Sequence, residues 1–234
     1  MLLFTLISKE LKHYFNSPIA YILLVAFFSI TSWLFSGPLF LHDSTEVSYF
    51  YSLIPTLLIF FIPALSMRLI AEEKRQGTME HLQTLPITDT AIVLSKFLGS
   101  WIFIGIPILC FSFYHMMINQ IGIVDWGIVL SSIIGTLLAA GSMLSIGLFF
   151  SSITQNQIIA FIITALLLLF LVFSSSFMPF LPWPLTHLLQ WIDIQTHYES
   201  FLRGMITIED TAFFVCISIA SIVLTIEVLH SRHS

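Results

Sequence analysis

The chain has 234 residues, of which 57% are hydrophobic and only 9% charged, with a formal net charge of −5. A soluble domain of this length needs roughly a quarter of its residues charged to cover its surface, so the composition excludes one and places a single domain, residues 1–234, in lipid. The negative total discourages a nucleic-acid partner, although in a membrane protein the distribution of charge matters more than its sum.

Residues 1–17 come first. Met1 to Ile7 is apolar but precedes Lys9, Glu10 and Lys12, and no small-residue cleavage site follows, so removal as a secretory signal is not expected. At about 100° per residue, Leu3, Phe4, Ile7, Leu11, Tyr14 and Phe15 share one face, opposite Thr5, Ser8, Lys9, Lys12, His13 and Asn16. The segment reads either as an amphipathic interfacial helix on the cytoplasmic surface or as a topogenic flank of the first span; Pro18 separates it from that span.

A spanning helix needs about 20 predominantly apolar residues. Six stretches qualify, near 18 to 40, 49 to 70, 92 to 118, 127 to 150, 158 to 178 and 211 to 229, which predicts an all-α membrane protein of six transmembrane helices. Lys9, Lys12, Arg68, Lys74, Arg75, Lys96 and Arg232 fall on one side of this arrangement and Arg203 alone on the other. Basic residues stay preferentially in the cytoplasm, so both termini are expected inside, in a multi-pass protein of the prokaryotic plasma (inner) membrane with lipid as a partner. Cys110 and Cys216 lie in apolar runs with no second ligand at metal spacing, and neither a disulfide nor a metal site is expected.

The connection between the second and third spans, residues 71–91 with flanks from Arg68 to Lys96, is the most polar part of the chain. Glu72, Glu73, Lys74 and Arg75 suit a helix leaving the membrane, and Gly77 followed by Thr78 would break that helix and cap another. Met79, Glu80, His81, Leu82 and Leu85 form the second segment, ended by Pro86. Two short helices at a glycine corner suit docking of a soluble partner; a solvated loop with no partner is the plainer reading.

In the fifth span, Ser174, Ser175 and Ser176 would line a polar exit or, by preference, bond their own backbone and a neighbouring helix. The outer connection, residues 179–210, opens with Pro179, Pro182 and Pro184, which force a turn. Leu185, Leu188, Leu189 and Ile192 then recur at helical spacing beside Trp183 and Trp191, as in a segment half inserted at the outer interface. Tyr198, Phe201 and Leu202 continue the apolar side, Gly204 ends a helix, and Asp210 is expected to cap the sixth span. Glu199 sits four residues before Arg203, at ion-pair spacing. External gate and interfacial plug both fit this segment. Glu227, an acid near the inner end of the sixth span, is read as interfacial.

Three stretches resemble, in order, the permeases of ABC exporters of the second class, the ABC-2-type membrane domain, and within them the six-helix gliding-motility-associated and copper-maturation group. They are Ala71-Glu72-Glu73 with Gly77-Thr78-Met79-Glu80-His81-Leu82, Leu85-Pro86-Ile87-Thr88 and Lys96; Ser151-Ser152-Ile153-Thr154-Gln155-Asn156-Gln157-Ile158-Ile159-Ala160; and His197-Tyr198-Glu199-Ser200-Phe201-Leu202-Arg203-Gly204 with Asp210. The resemblance implies that 72–85 carries a coupling helix seated on a separate ABC ATPase subunit, and that the permease works with a second permease copy, as homodimer or heterodimer. It also implies a role for His197, Tyr198, Phe201, Arg203, Gly204 and Asp210 in the external segment. No glycine in the chain is followed by lysine, so the phosphate-cradling GxxxxGK[ST] loop is absent; no cofactor is expected here, and ATP with Mg would bind the partner. The chain is therefore expected to be a transport subunit and not itself an enzyme. The rival classes are an intramembrane enzyme, for which no HExxH, GxSxG or paired mid-span carboxylate is found, and an ion-coupled carrier, for which Glu227 and His115 offer little.

Overall fold

The computed structural model describes residues 2–41, 47–78, 88–120, 124–177 and 182–231, and among these every regular element is a helix. In chain order they are α1 (Leu2–Asn16), α2 (Pro18–Leu41), α3 (Val47–Ser52), α4 (Ile54–Ser66), α5 (Ala71–Gln76), α6 (Asp89–Ile118), α7 (Trp126–Ile153), α8 (Gln157–Phe177), α9 (Trp183–Ile192), α10 (Ile194–Leu202) and α11 (Ile208–His230). Six stretches are long and apolar enough to cross a membrane: Pro18–Ser36, Val47–Gln76, Asp89–Met117, Trp126–Ile153, Gln157–Phe177 and Ile208–His230.

The second span is not the single helix expected over 49 to 70. It breaks at Leu53 and turns again over residues 67–70 before α5. Proline chemistry accounts for the first break. Pro55 has no N–H to donate to the carbonyl of Tyr51, four residues back, and that carbonyl instead accepts a bond from the Tyr198 hydroxyl at 3.1 Å.

Helix α7 is the most enclosed span and packs against α4, α6, α8, α10 and α11. Its close approaches fall on glycines, as expected where apolar solvent supplies no hydrophobic drive and backbones must come near one another. A Cβ at Gly147 would lie 2.2 Å from Ser66 Oγ of α4, one at Gly141 3.1 Å from Trp101 Nε1 of α6, and one at Gly135 2.6 Å from Phe201 of α10. Several buried hydroxyls inside the spans bond within their own helix. Ser142 donates to Ala139, Thr164 to Ala160 and Thr225 to Ser221, so their burial leaves no hydroxyl unmatched.

Helix α1 lies along α6. Tyr14 stacks on Phe103 at 4.7 Å, and Glu10 packs over Gly99, where a Cβ would come within 2.9 Å of the glutamate Cβ. Only part of the expected apolar stripe is used for this. Ile7, Leu11 and Tyr14 turn inward, while Phe4 is 79% exposed and Leu3 and Phe15 are also open.

Candidate functional site

The polar connection after the second span is anchored at its base. Six residues cannot hold a helix alone, and α5 is held by side chains and carbonyls of two helices, α7 and α6. From α7, the Ser151 hydroxyl accepts from the backbone N–H groups of Ile70 and Ala71, at 3.2 and 3.1 Å, and donates to the Met67 carbonyl at 3.3 Å. The Lys74 ammonium reaches the Ser152 carbonyl of the same helix. From α6, Lys96 donates to Glu73 at 2.6 Å and also to Glu10 of α1 at 3.3 Å. The Lys96 side chain is only 3% exposed, and Glu10 and Glu73 are 15% and 23% exposed, so two largely buried carboxylates share one ammonium. A second link joins α1 to α6: burial pushes the Tyr14 phenol up, the Ser100 bond offsets some of this, and nearby Glu10 and Glu73 push it further up. It remains a donor, bonding Ser100 Oγ at 2.8 Å, which in turn donates to the Lys96 carbonyl.

Gly77 adopts φ +71° and ends α5 in the left-handed conformation that favours glycine. The Thr78 hydroxyl donates back to the Glu73 carbonyl at 3.3 Å, and the residues that the expected new helix would contain after it lie outside the described residues. Glu72 accepts from Gln76 at 3.2 Å and stays at the surface of the connection. Met79, Glu80, Leu82 and Leu85 lie outside the described residues.

At the opposite end of the bundle, α10 is packed into the protein, with Tyr198 and Phe201 fully buried and Leu202 nearly so. Ser131 of α7 donates to the Phe201 carbonyl at 2.6 Å, and Tyr198 meets Thr136 at 2.7 Å. The Tyr198 hydroxyl also reaches the Tyr51 carbonyl at 3.1 Å, and the Thr136 hydroxyl the Ser132 carbonyl of its own helix at 2.7 Å. Asp193 is the pivot between α9 and α10. It is completely buried, receives Ser174 at 2.5 Å and the Ser175 N–H at 3.1 Å from the end of α8, and caps α10 through the Thr196 N–H and hydroxyl, both at 2.7 Å. Ser174 is thus a tie between elements, in line with the preferred packing reading.

The expectation that Asp210 caps the sixth span is corrected. Thr207 is the cap, accepting from the Asp210 N–H at 3.2 Å, and Asp210 sits in the first turn with its carboxylate on the Thr207 hydroxyl and on His197 Nδ1, the latter at 2.7 Å. The reason is reach: an aspartate three residues after a threonine completes a reciprocal cap and lets the helix start earlier, at Ile208. Arg203 pairs with Glu199 at 3.2 Å on the exposed side of α10, and Gly204, at φ +81°, makes the turn that follows. Glu227 is exposed in the last turn of α11.

Sequence reasoning left Glu10 on neither face of α1, took Lys96 as a basic residue of the cytoplasmic side and part of the first resembling stretch, and gave Asp193 no role. The available signals were an acid at position 10 flanked by Ile7, Leu11 and Tyr14, and an Asp-x-x-Thr capping pattern from Asp193 to Thr196. The structure also brings together two of the three stretches that carried the resemblance: Ser151 and Ser152 hold the chain from Met67 to Lys74.

No curated protein matches the chain significantly. The family model described as ABC-2 family transporter protein matches residues 38–229, from just after the first span to the end of the last. With six spanning helices and a match over most of its length, the chain belongs to the ABC-2 family of transporter proteins as a multi-pass membrane subunit.

Proposed function

We propose that this permease subunit serves an exporter of the inner membrane, powered by a separate ABC ATPase that docks on residues 72–85. ATP and Mg belong to that partner. The observation that carries the reading is the Lys96 junction. It locks the base of the docking connection to α6 and α1 at once, so a displacement of α5 would be passed to two elements instead of being lost in a loose loop. The Ser151 and Lys74 contacts extend that grip to α7. The same end carries Lys9, Lys12, Arg68, Lys74, Arg75 and Lys96, which supports a cytoplasmic placement with both termini inside. Among the described residues the buried charged and imidazole groups lie near the two ends of the bundle, Lys96 at the α5 end and His115, Asp193 and Asp210 at the α10 end, which supports ATP drive over an ion-coupled carrier. A second permease copy completes the transport path, and the motif likeness supports kinship with the gliding-motility and copper-maturation group. His197, Tyr198, Phe201, Arg203, Gly204 and Asp210 then shape the external segment that closes the path.

Docking interfaces draw most of their energy from a few buried anchors, and Leu82→Asp would put an unpaired charge into this one at a cost of a few kcal/mol. The ATPase should fail to co-purify with the Leu82→Asp permease, and transport-coupled ATP hydrolysis should fall at least tenfold, whereas Gln83→Ala should leave both unchanged. Retention of the partner and of coupled turnover by the Leu82 variant would remove the docking assignment.

A further inference from the structure

Next to the Lys96 junction, α1, α2, α4 and α5 enclose a cavity of about 540 Å³, well inside the roughly 300–1,000 Å³ typical of small-molecule sites. Its two walls differ in kind. One is aliphatic, formed by Ile19, Ala20, Leu23, Ala64, Leu65 and Leu69; the other carries three cations, Lys9, Arg68 and Lys96, and three carboxylates, Glu10, Glu72 and Glu73. The charged wall is therefore neutral in sum and bipolar in detail.

Among the described residues, two buried side-chain atoms of residues on that wall lack partners, and they are of opposite character. Arg68 Nε is a donor with no acceptor, and Glu73 Oε2 is an acceptor with no donor, because Lys96 engages only Oε1 of that carboxylate. Arg68 makes no ion pair among the described residues, although Glu72 lies four residues further along. Buried polar atoms are almost always matched, so a donor and an acceptor left open in one cavity point to a ligand that carries both complements.

We propose that the cavity holds the head of a zwitterionic phospholipid with a primary ammonium group. Its phosphate meets the Arg68 guanidinium, whose planar donors suit a phosphate, and its ammonium donates to Glu73 Oε2. The acyl chains run along Leu23 and Leu65. Ile19 lines the cavity and is also 37% exposed on the outer surface of α2, so the aliphatic wall runs continuously into the lipid-facing surface. A choline head presents methyl groups and no N–H, and leaves Oε2 unmatched. A glycerol head brings a net negative charge to a wall already balanced. The inference requires the chain to sit in a bilayer and is independent of whether an ATPase docks nearby.

The test is equilibrium binding of fluorescent phosphatidylethanolamine, phosphatidylcholine and phosphatidylglycerol to the purified full chain in detergent. Phosphatidylethanolamine should bind at least tenfold tighter than either of the others. Arg68→Gln should weaken it at least tenfold, and Glu73→Gln should abolish the preference over phosphatidylcholine. Leu23→Trp, which fills the aliphatic side without touching a charge, should weaken all three lipids while leaving the unfolding temperature within a few degrees. Equal binding of the ethanolamine and choline lipids, a preference for the glycerol lipid, or wild-type affinity in Leu23→Trp would each overturn the proposal. So would displacement by free phosphoethanolamine at concentrations equal to the lipid, since that outcome assigns the site to a soluble headgroup.

Discussion

One ammonium shared by two carboxylates is an expensive arrangement to bury. The Lys96 side chain is 3% exposed with Glu10 and Glu73 at 3.3 and 2.6 Å, and breaking such a site from the lysine side leaves two like charges facing each other with little water. Loss of one partner from a buried ion pair costs about 3–5 kcal/mol, so Lys96→Met should lower the thermal midpoint of the purified protein by several degrees. Replacing all three residues, Lys96→Met with Glu10→Gln and Glu73→Gln, removes the stranded charges and should recover most of that loss. If the triple variant unfolds at or below the temperature of Lys96→Met, the three groups do not act as a unit. Asp193 shows the other way to bury a carboxylate. It has no cation within ion-pair distance among the described residues and is matched by donors alone, from Ser174, Ser175 and Thr196.

Among the elements, α10 packs chiefly on α7. Gly135 of α7 forms the notch that admits Phe201, and an alanine there would place its Cβ 2.6 Å from Phe201 Cβ and Cγ. Overpacking of this kind costs about 1–3 kcal/mol, against a gain of about 1 kcal/mol in helix propensity from removing a glycine. Gly135→Ala should therefore be destabilising on balance. Gly105→Ala, whose Cβ would sit 3.4 Å from Leu137, an ordinary separation, keeps the propensity gain and should be neutral or stabilising. The unfolding midpoints of the two variants decide it, and equal midpoints would mean that α10 does not depend on the notch. The same pair shows what was legible beforehand. Tyr198, Phe201 and Leu202 fall at helical spacing, so an apolar face was readable from period alone. Period does not say what that face meets, and nothing in the sequence joins Phe201 to a glycine 66 residues earlier, so a segment that packs into the bundle was read as one lying in the interface. Glu10 and Lys96 are 86 residues apart, and their pairing was illegible for the same reason.

At the scale of the whole molecule, the number and limits of the spans were legible because a bilayer imposes a length of about 20 apolar residues on any helix that crosses it. Each of the six runs appears within a few residues of its expected place. Orientation rests on charge. Among the described Lys and Arg residues, six lie at the α5 end and Arg203 alone lies at the other, already paired with Glu199. This uneven distribution is the ground for the proposal that the lysine- and arginine-rich end faces the cytoplasm. Reporter positions for a test should not alter that distribution, which rules out replacing a lysine or arginine. Gln76 and Met205 are neutral, exposed and at opposite ends of the bundle. With Cys110 and Cys216 first changed to serine, a membrane-impermeant thiol reagent added to intact cells should label Met205→Cys and leave Gln76→Cys untouched. Permeabilised cells should label both. Labelling of Gln76→Cys from outside intact cells would invert the molecule and place α5 beyond the reach of any cytoplasmic ATPase, and labelling of both sites from one side would remove the six-span topology itself.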